Sequence, residues 1–322
     1  MKNKKKVLEI VLSSVVSLIG VFLIVFGLYM DKYYYIDEVY FAPVVTEFSI
    51  EDTLSDGNGR KAHIILLAGQ SNASGASWDS ELKKNVSVDK YEEYANGYDN
   101  VYINHFNGNG NNVSGGFVKT NTNQGEITNF FGPEVGIAEK LHELYPNELF
   151  FIVKYAWGAT NLYQQWLSPS SFGKTGKLYT AFINFVNVSA EYLVSKNYDV
   201  SIDAMCWMQG ESDSGSIVYA NRYEKNTRNL IKDVRNDLDK YIDNQMIFVD
   251  AYIADSGFWP HYKTINKCKK AVSDESRYNK CIDTISVGLS YDKEPEGNVD
   301  MAHYDSLSQI RLGHLFAENI EV

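Results

Sequence analysis

Cysteine is scarce: the 322 residues contain three, Cys206, Cys268 and Cys281. Three thiols build no disulfide framework, and their spacing is not that of a zinc site. Cys206 sits in an apolar run and reads as a buried packing thiol. Cys268 and Cys281 fall in a polar stretch, where pairing in an oxidising compartment is an open alternative. Basic charge is also in deficit: 30 Lys and Arg against 41 Asp and Glu leave a formal charge of −11. That balance repels phosphate backbones and argues against a nucleic-acid partner without a basic patch. The Asn/Gly-rich piece 107–125 contains no GxGxxG and does not sit between a strand and a helix, so it reads as a long surface loop rather than a dinucleotide site. His142-Glu143 lacks the second histidine of a HExxH helix, and His63, His105, His261 and His314 are scattered, so all five read as structural or surface residues. No internal repeat is visible. What is present is a core: 44% hydrophobic and 14% aromatic residues exclude a disordered chain.

The one dense basic run, Lys2 with Lys4, Lys5 and Lys6, precedes an uncharged stretch from Ile10 to Met30. At about 1.5 Å per residue this covers roughly the 30 Å of a bilayer core. The stretch is longer than the usual apolar region of a signal peptide and lacks its small-x-small exit, so an uncleaved anchor is favoured over a cleaved signal. The positive-inside rule then puts residues 1–9 in the cytoplasm, the anchor over 10–30, and the remainder on the extracytoplasmic side. Residues 31–60 read as a juxtamembrane spacer, and 61–322 as one domain.

Within that domain five apolar runs of strand length recur, at 62–68, 148–156, 201–208, 245–252 and 283–289. Their continuous apolar character is that of strands covered on both faces. Helical patterns fall between and after them, at 132–146, 178–197, 216–238 and 306–320. Alternation of this kind predicts a three-layer α/β/α sandwich around a mostly parallel sheet, with the ligand site beyond the carboxyl ends of the strands.

The strand exits carry the chemistry. Gly69-Gln70-Ser71-Asn72 follows the first run and presents a serine hydroxyl. Trp157-Gly158 follows the second, and the glycine lets a backbone N–H approach whatever Ser71 attacks. Gln209-Gly210-Glu211-Ser212-Asp213 follows the third. Near the carboxyl end, Asp300 and His303 lie three residues apart. A serine hydroxyl is scarcely ionised at neutral pH and needs a base; an imidazole can serve, with a carboxylate to hold its tautomer. Trp78, Trp157, Tyr163, Trp166 and Trp259 are available to stack on sugar rings, Trp157 and Trp166 being best placed.

Four motifs in order, GQSN at 69–72, FGPE at 131–134, WMQGESD at 207–213 and DMAHYD at 300–305, resemble the sialate O-acetylesterase-like carbohydrate esterases of the SGNH hydrolase superfamily over roughly residues 62–320. The resemblance implies a flavodoxin-like sandwich and a serine esterase that needs no metal or organic cofactor. It makes Ser71 the nucleophile, His303 the general base and then acid, and Asp300 its orienting carboxylate. It places Glu211 in the site, either assisting His303 or binding substrate. Oxyanion donors would come from the Ser71 and Gly158 amides and the Gln209 side chain, with Asn72 and Trp157 as further substrate contacts. Met208 and Met301 depart from the family pattern, the first bearing on the pocket and the second on the turn that presents His303. The implied substrate is acetylated carbohydrate at the cell surface. An O-acyltransferase with the same triad and a non-catalytic glycan-binding module are the alternatives.

Overall fold

In the computed structural model of the chain, which describes residues 2–34 and 44–322, two units separate, 1–43 and 44–322. In the first, Lys2–Tyr34 form one helix, α1. Nothing charged and no proline interrupts residues 10–30, so every backbone group can be satisfied within the helix, as a bilayer requires. The segment Lys4–Phe26 is long and apolar enough to cross a membrane, a test that a signal sequence also meets.

The second unit is built on strands β1 (Lys61–Gly69), β2 (Ser77–Trp78), β3 (Val101–Asn107), β4 (Asn112–Val113), β5 (Val118–Lys119), β6 (Phe130–Phe131), β7 (Phe150–Ala156), β8 (Asp199–Met208), β9 (Ile247–Ala251) and β10 (Asn279–Ile282). Its helices are α2 (Ser71–Ser74), α3 (Asp79–Asn85), α4 (Val88–Asn96), α5 (Glu134–Leu144), α6 (Lys177–Ser195), α7 (Glu211–Ser214), α8 (Ile217–Asp237), α9 (Tyr262–Ser273) and α10 (Ser306–Glu318). The strands β7-β1-β8-β9-β10 are parallel neighbours, which is the flavodoxin-like order with its switch point between β1 and β8. Strand β3 extends the sheet beyond β7 in parallel, and β4 and β5 pair with it antiparallel. β2 and β6 form a separate ribbon.

Side-chain alternation along β7 shows the layers. Lys154 reaches Glu134 at the start of α5, while Tyr155 packs on Phe182 and Phe185 of α6. On the α5 side, α10 lies so close that a Cβ on Gly136 would stand 2.1 Å from the Ile310 carbonyl, and one on Gly313 2.2 Å from that of Pro133. On the α6 side, Trp207 of β8 meets Trp166 edge-on and donates to Tyr223 of α8, and Lys269 of α9 pairs with Asp250 of β9.

Three expectations need correction. The strand expected at 283–289 is formed instead by 279–282: Asp283 accepts from the Ser286 N–H at 2.9 Å and turns the chain out of the sheet, leaving Ile285 and Val287 exposed. The 107–125 segment is no free surface loop. It carries β4 and β5, buries Phe117, Thr122 and Gln124, and is fastened by Asn107, whose amide donates to the Gln124 and Gly125 carbonyls. Of the 31–60 spacer, residues 35–43 lie outside the described residues, but 44–60 belong to the second unit. Phe48 inserts edge-on against Phe106 and Phe185, and Glu51 N–H donates to the Gly115 carbonyl. All three cysteines are free thiols, Cys206 fully buried as expected, and Cys268 is not paired with Cys281.

A polar clip ties α5, α10 and α4 together. Buried Glu139 accepts from His314 (2.6 Å), Tyr94 (2.7 Å) and Lys90 (3.0 Å). Burial opposes ionisation there, but these three donors outweigh it and hold the carboxyl down at about 2, from an ordinary 4.5. A depressed folded-state pKa contributes stability that is fully present above about pH 4.5 and is lost as the pH falls towards 2. Glu139→Gln therefore destabilises the protein at neutral pH, and the difference from wild type shrinks across that acid window in denaturant titrations. A difference independent of pH would mean that the carboxylate is not the stabilising form.

Candidate active site

The carboxyl ends of three strands are stitched together at Gly69. Trp157 N–H, just past β7, donates to the Gly69 carbonyl, and Gln70 N–H donates to that of Met208 at the end of β8. Gly69 has φ +140°, and a Cβ there would lie 2.0 Å from the Met208 oxygen, so only glycine fits. The sharp exit puts Ser71 at the start of the one-turn helix α2, 8% exposed. Neither the Ser71 nor the Gly158 N–H has an acceptor among the described residues, so two backbone donors stay open at the strand ends. Ala159, beside Gly158, is held at φ +57°, a conformation that costs free energy for a residue with a Cβ.

The imidazole arrives from the other end of the domain. Asp300 Oδ2 lies 2.6 Å from His303 Nδ1, and Asp300 Oδ1 accepts from Ala302 N–H at 3.0 Å. Bonding at Nδ1 leaves Nε2 as the basic nitrogen. The loop bearing this pair is tied down by Asn72, the residue after Ser71. Its amide donates to the Ala302 carbonyl (3.4 Å) and its oxygen accepts from Tyr304 N–H (3.2 Å), so it grips both neighbours of His303. Gln309 of α10 donates to the Asn72 carbonyl. The residue after Ser71 is thereby bonded to both neighbours of His303, and among the described residues Ser71 Oγ and His303 Nε2 are not hydrogen-bonded to each other. Burial works against the imidazolium, but the Asp300 bond and the charges of Asp300, Glu211 and Glu126 outweigh it and raise the His303 pKa above 6.5.

Glu211 opens α7. Its Oε1 accepts from Asn72 at 2.8 Å and its Oε2 is buried without a partner among the described residues; burial pushes its pKa up. Gln209 is fully buried, with its amide nitrogen facing Asp213 Oδ2 (2.7 Å), the Thr160 carbonyl (3.0 Å) and Gln70 Oε1 (3.3 Å). Those acceptors engage the amide that the resemblance had set among the oxyanion donors. Asp213 also accepts from the Leu162 and Tyr163 N–H groups, so Gln209 and Asp213 together anchor the 157–166 turn on α7. Burial pushes the Asp213 carboxyl up to about 6.

Trp166 is core, not platform: it is fully buried among Tyr155, Phe182 and Trp207. Trp157 is 9% exposed. Tyr163 stacks on Tyr219 with centroids 4.1 Å apart, and Trp78 is partly exposed beside Phe130. Met208 is buried with its side chain away from solvent, whereas Met301 is exposed on the turn that still closes through Asp300.

One acidic residue escapes the motif analysis. Glu126 stands so close to Gly158 that a Cβ there would meet its Oε1 at 2.5 Å, and its charge acts on His303. It lies just beyond an Asn/Gly-rich piece with no periodicity, where nothing in the sequence marks it.

The mostly parallel sheet with helices on both faces defines an α/β/α protein. The chain belongs to the family described as carbohydrate esterase, sialic acid-specific acetylesterase, whose model matches residues 61–321. Among solved structures it is similar to a protein from Arabidopsis thaliana, at 18% identity and TM-score 0.57, covering 80% of this chain and 96% of that one. It is also similar to NanS, at 14% identity and TM-score 0.55, covering 83% and 97% of the two chains. A third is a carbohydrate acetylesterase from Xanthomonas citri, at 16% identity and TM-score 0.52, covering 80% of this chain and 55% of that one. No curated protein matches the chain by sequence.

Proposed function

We propose that the protein is a serine esterase that removes O-acetyl groups from carbohydrate, with Ser71, His303 and Asp300 as the working unit. The observation that carries this reading is the grip of Asn72 on the residues flanking His303, because it couples the position of the imidazole to that of the adjacent serine. Ser71 Oγ attacks the ester carbonyl carbon as His303 Nε2 takes its proton. The carbonyl oxygen becomes an oxyanion held by the open Ser71 and Gly158 N–H groups, each worth roughly 3 kcal/mol in the transition state. The tetrahedral intermediate collapses, the sugar oxygen leaves with the proton from His303, and the acetyl group stays on Ser71. Water then attacks the acetyl-enzyme with His303 again as base, releasing acetate. Asp300 holds the tautomer throughout. The proton that Ser71 gave up has left on the sugar, and His303 returns the one taken from water to Ser71 Oγ, so the site ends as it began and the cycle needs no cofactor. Helix α1 as an anchor, or as a signal, would place this domain on the extracytoplasmic side, where acetylated surface glycan is met.

Incubating the purified full-length protein in detergent with an O-acetylated sugar releases acetate, and a fluorophosphonate that labels the serine abolishes the release. Labelling without acetate release to water, but with acetyl transfer to an added sugar, would replace hydrolysis by acyl transfer. Neither labelling nor release would remove the reading.

The base must be neutral to accept a proton, and its pKa is raised. Activity therefore climbs with pH through the ionisation of His303, so the acid limb of kcat/KM has its midpoint above 6.5. A midpoint below 6.5 would show that the three carboxylates do not govern the base.

A further inference from the structure

We infer that Glu126 is a specificity-determining residue that turns the site towards neutral O-acetylated sugars and against sugars that carry a carboxylate. The inference rests on the esterase reading and deepens it to a substrate class. Three observations support it. First, the Glu126 carboxylate lies against the Cα side of Gly158, whose open N–H is the proposed partner of the ester carbonyl, so any bound ester lies within a few ångströms of it. Second, this carboxylate is half-buried with no hydrogen-bond partner among the described residues, leaving its oxygens as acceptors for sugar hydroxyl groups. Third, the charges acting most strongly on His303 are all acidic: Asp300, Glu211 and Glu126. Glu211 Oε2 is a further acceptor there, buried and unpartnered among the described residues.

The nearby cations are already committed. Lys154 acts on Glu126, but its fully buried ammonium donates to Glu134 Oε2 (2.7 Å) and to the Gln124 carbonyl (2.8 Å). Lys269 is likewise fully buried against Asp250. A substrate carboxylate entering this site would meet like charges, with neither of these two ammonium groups free to answer them, and like-charge juxtaposition in a partly desolvated site is strongly unfavourable. A neutral sugar brings hydroxyl donors instead. Within a family described by sialic acid, whose sugar carries a carboxylate, this chain's charge arrangement favours the uncharged alternative.

The test compares kcat/KM for an acetylated methyl glucoside with that for the matching acetylated methyl glucuronide, which differ in one carboxylate, using the full-length protein. Wild type favours the neutral ester by at least about tenfold, and E126Q narrows the ratio by about threefold or more. Raising the salt from about 0.05 M to about 0.5 M narrows the wild-type ratio as well, because part of the repulsion is screened. That measurement stands even where E126Q does not fold. A wild-type ratio near one, or a ratio that neither salt nor E126Q changes, overturns the inference while leaving the esterase reading intact. A protein that splits neither these esters nor 4-nitrophenyl acetate overturns the esterase reading, and this inference with it.

Discussion

Ser71→Ala lowers kcat for an acetyl ester by at least about 10⁴-fold, and His303→Ala by at least about 10³-fold. Without Oγ no acetyl-enzyme forms, and what remains is attack by water in a site that still binds the ester and holds its oxyanion. Without the imidazole the hydroxyl keeps its proton through the attack, and the departing sugar oxygen has no acid. Asp300 is bonded to His303 at 2.6 Å and to no second imidazole among the described residues, so it offers no substitute for the lost base. Because the two residues act as one unit, the double variant is little slower than Ser71→Ala alone. Multiplicative losses would mean that the two side chains work independently, and a loss of tenfold or less in either single variant would mean that its role is misassigned.

Asn72→Ala lowers kcat by about 10²-fold, although this side chain takes part in no bond making. Its amide and carbonyl oxygen hold the Ala302 and Tyr304 backbones, so its removal frees the turn that presents His303, and a misplacement of about 1 Å is worth that much in rate. The same change takes from Glu211 the side-chain donor to its Oε1, in a carboxyl whose Oε2 already has no partner among the described residues. The expected loss of stability is about 2–4 kcal/mol, that of a buried polar group stripped of its donor. KM changes less than kcat, since the open backbone donors remain. Labelling by a fluorophosphonate slows in parallel with kcat. An Asn72→Ala protein that is destabilised yet turns over at the wild-type rate would show that the clamp serves folding alone.

The parts of the fold and site that stand out in the sequence are those written in short-range chemistry. The strands at 62–68, 148–156, 201–208 and 245–252 are continuous apolar runs because helices cover both faces, and they match β1, β7, β8 and β9. Ser71, Gly158, Glu211 and His303 follow strand ends or precede the last helix, where a parallel sheet places its ligands. β3 is hidden because Asn104 and His105 interrupt its apolar run. Asn104 is satisfied by Ser189 and Ser114, contacts that only the folded chain supplies. The run at 283–289 misleads in the opposite sense, since Asp283 ends the strand just before it. Met208, Gln209 and Trp166 illustrate a third limit: their type suits a pocket, but burial commits them to the interior. Glu126 becomes visible only through its distance to Gly158.

The most direct test is to mix the full-length protein with an O-acetylated sugar, quench in acid within one turnover, and map the acetyl group by peptide mass spectrometry. The account predicts one acetyl group on the peptide containing Ser71, accumulating further in a His303→Ala protein supplied with an activated ester, because deacylation then lacks its base. An acetyl group on any other residue, or acetate release at the wild-type rate from Ser71→Ala, would contradict it.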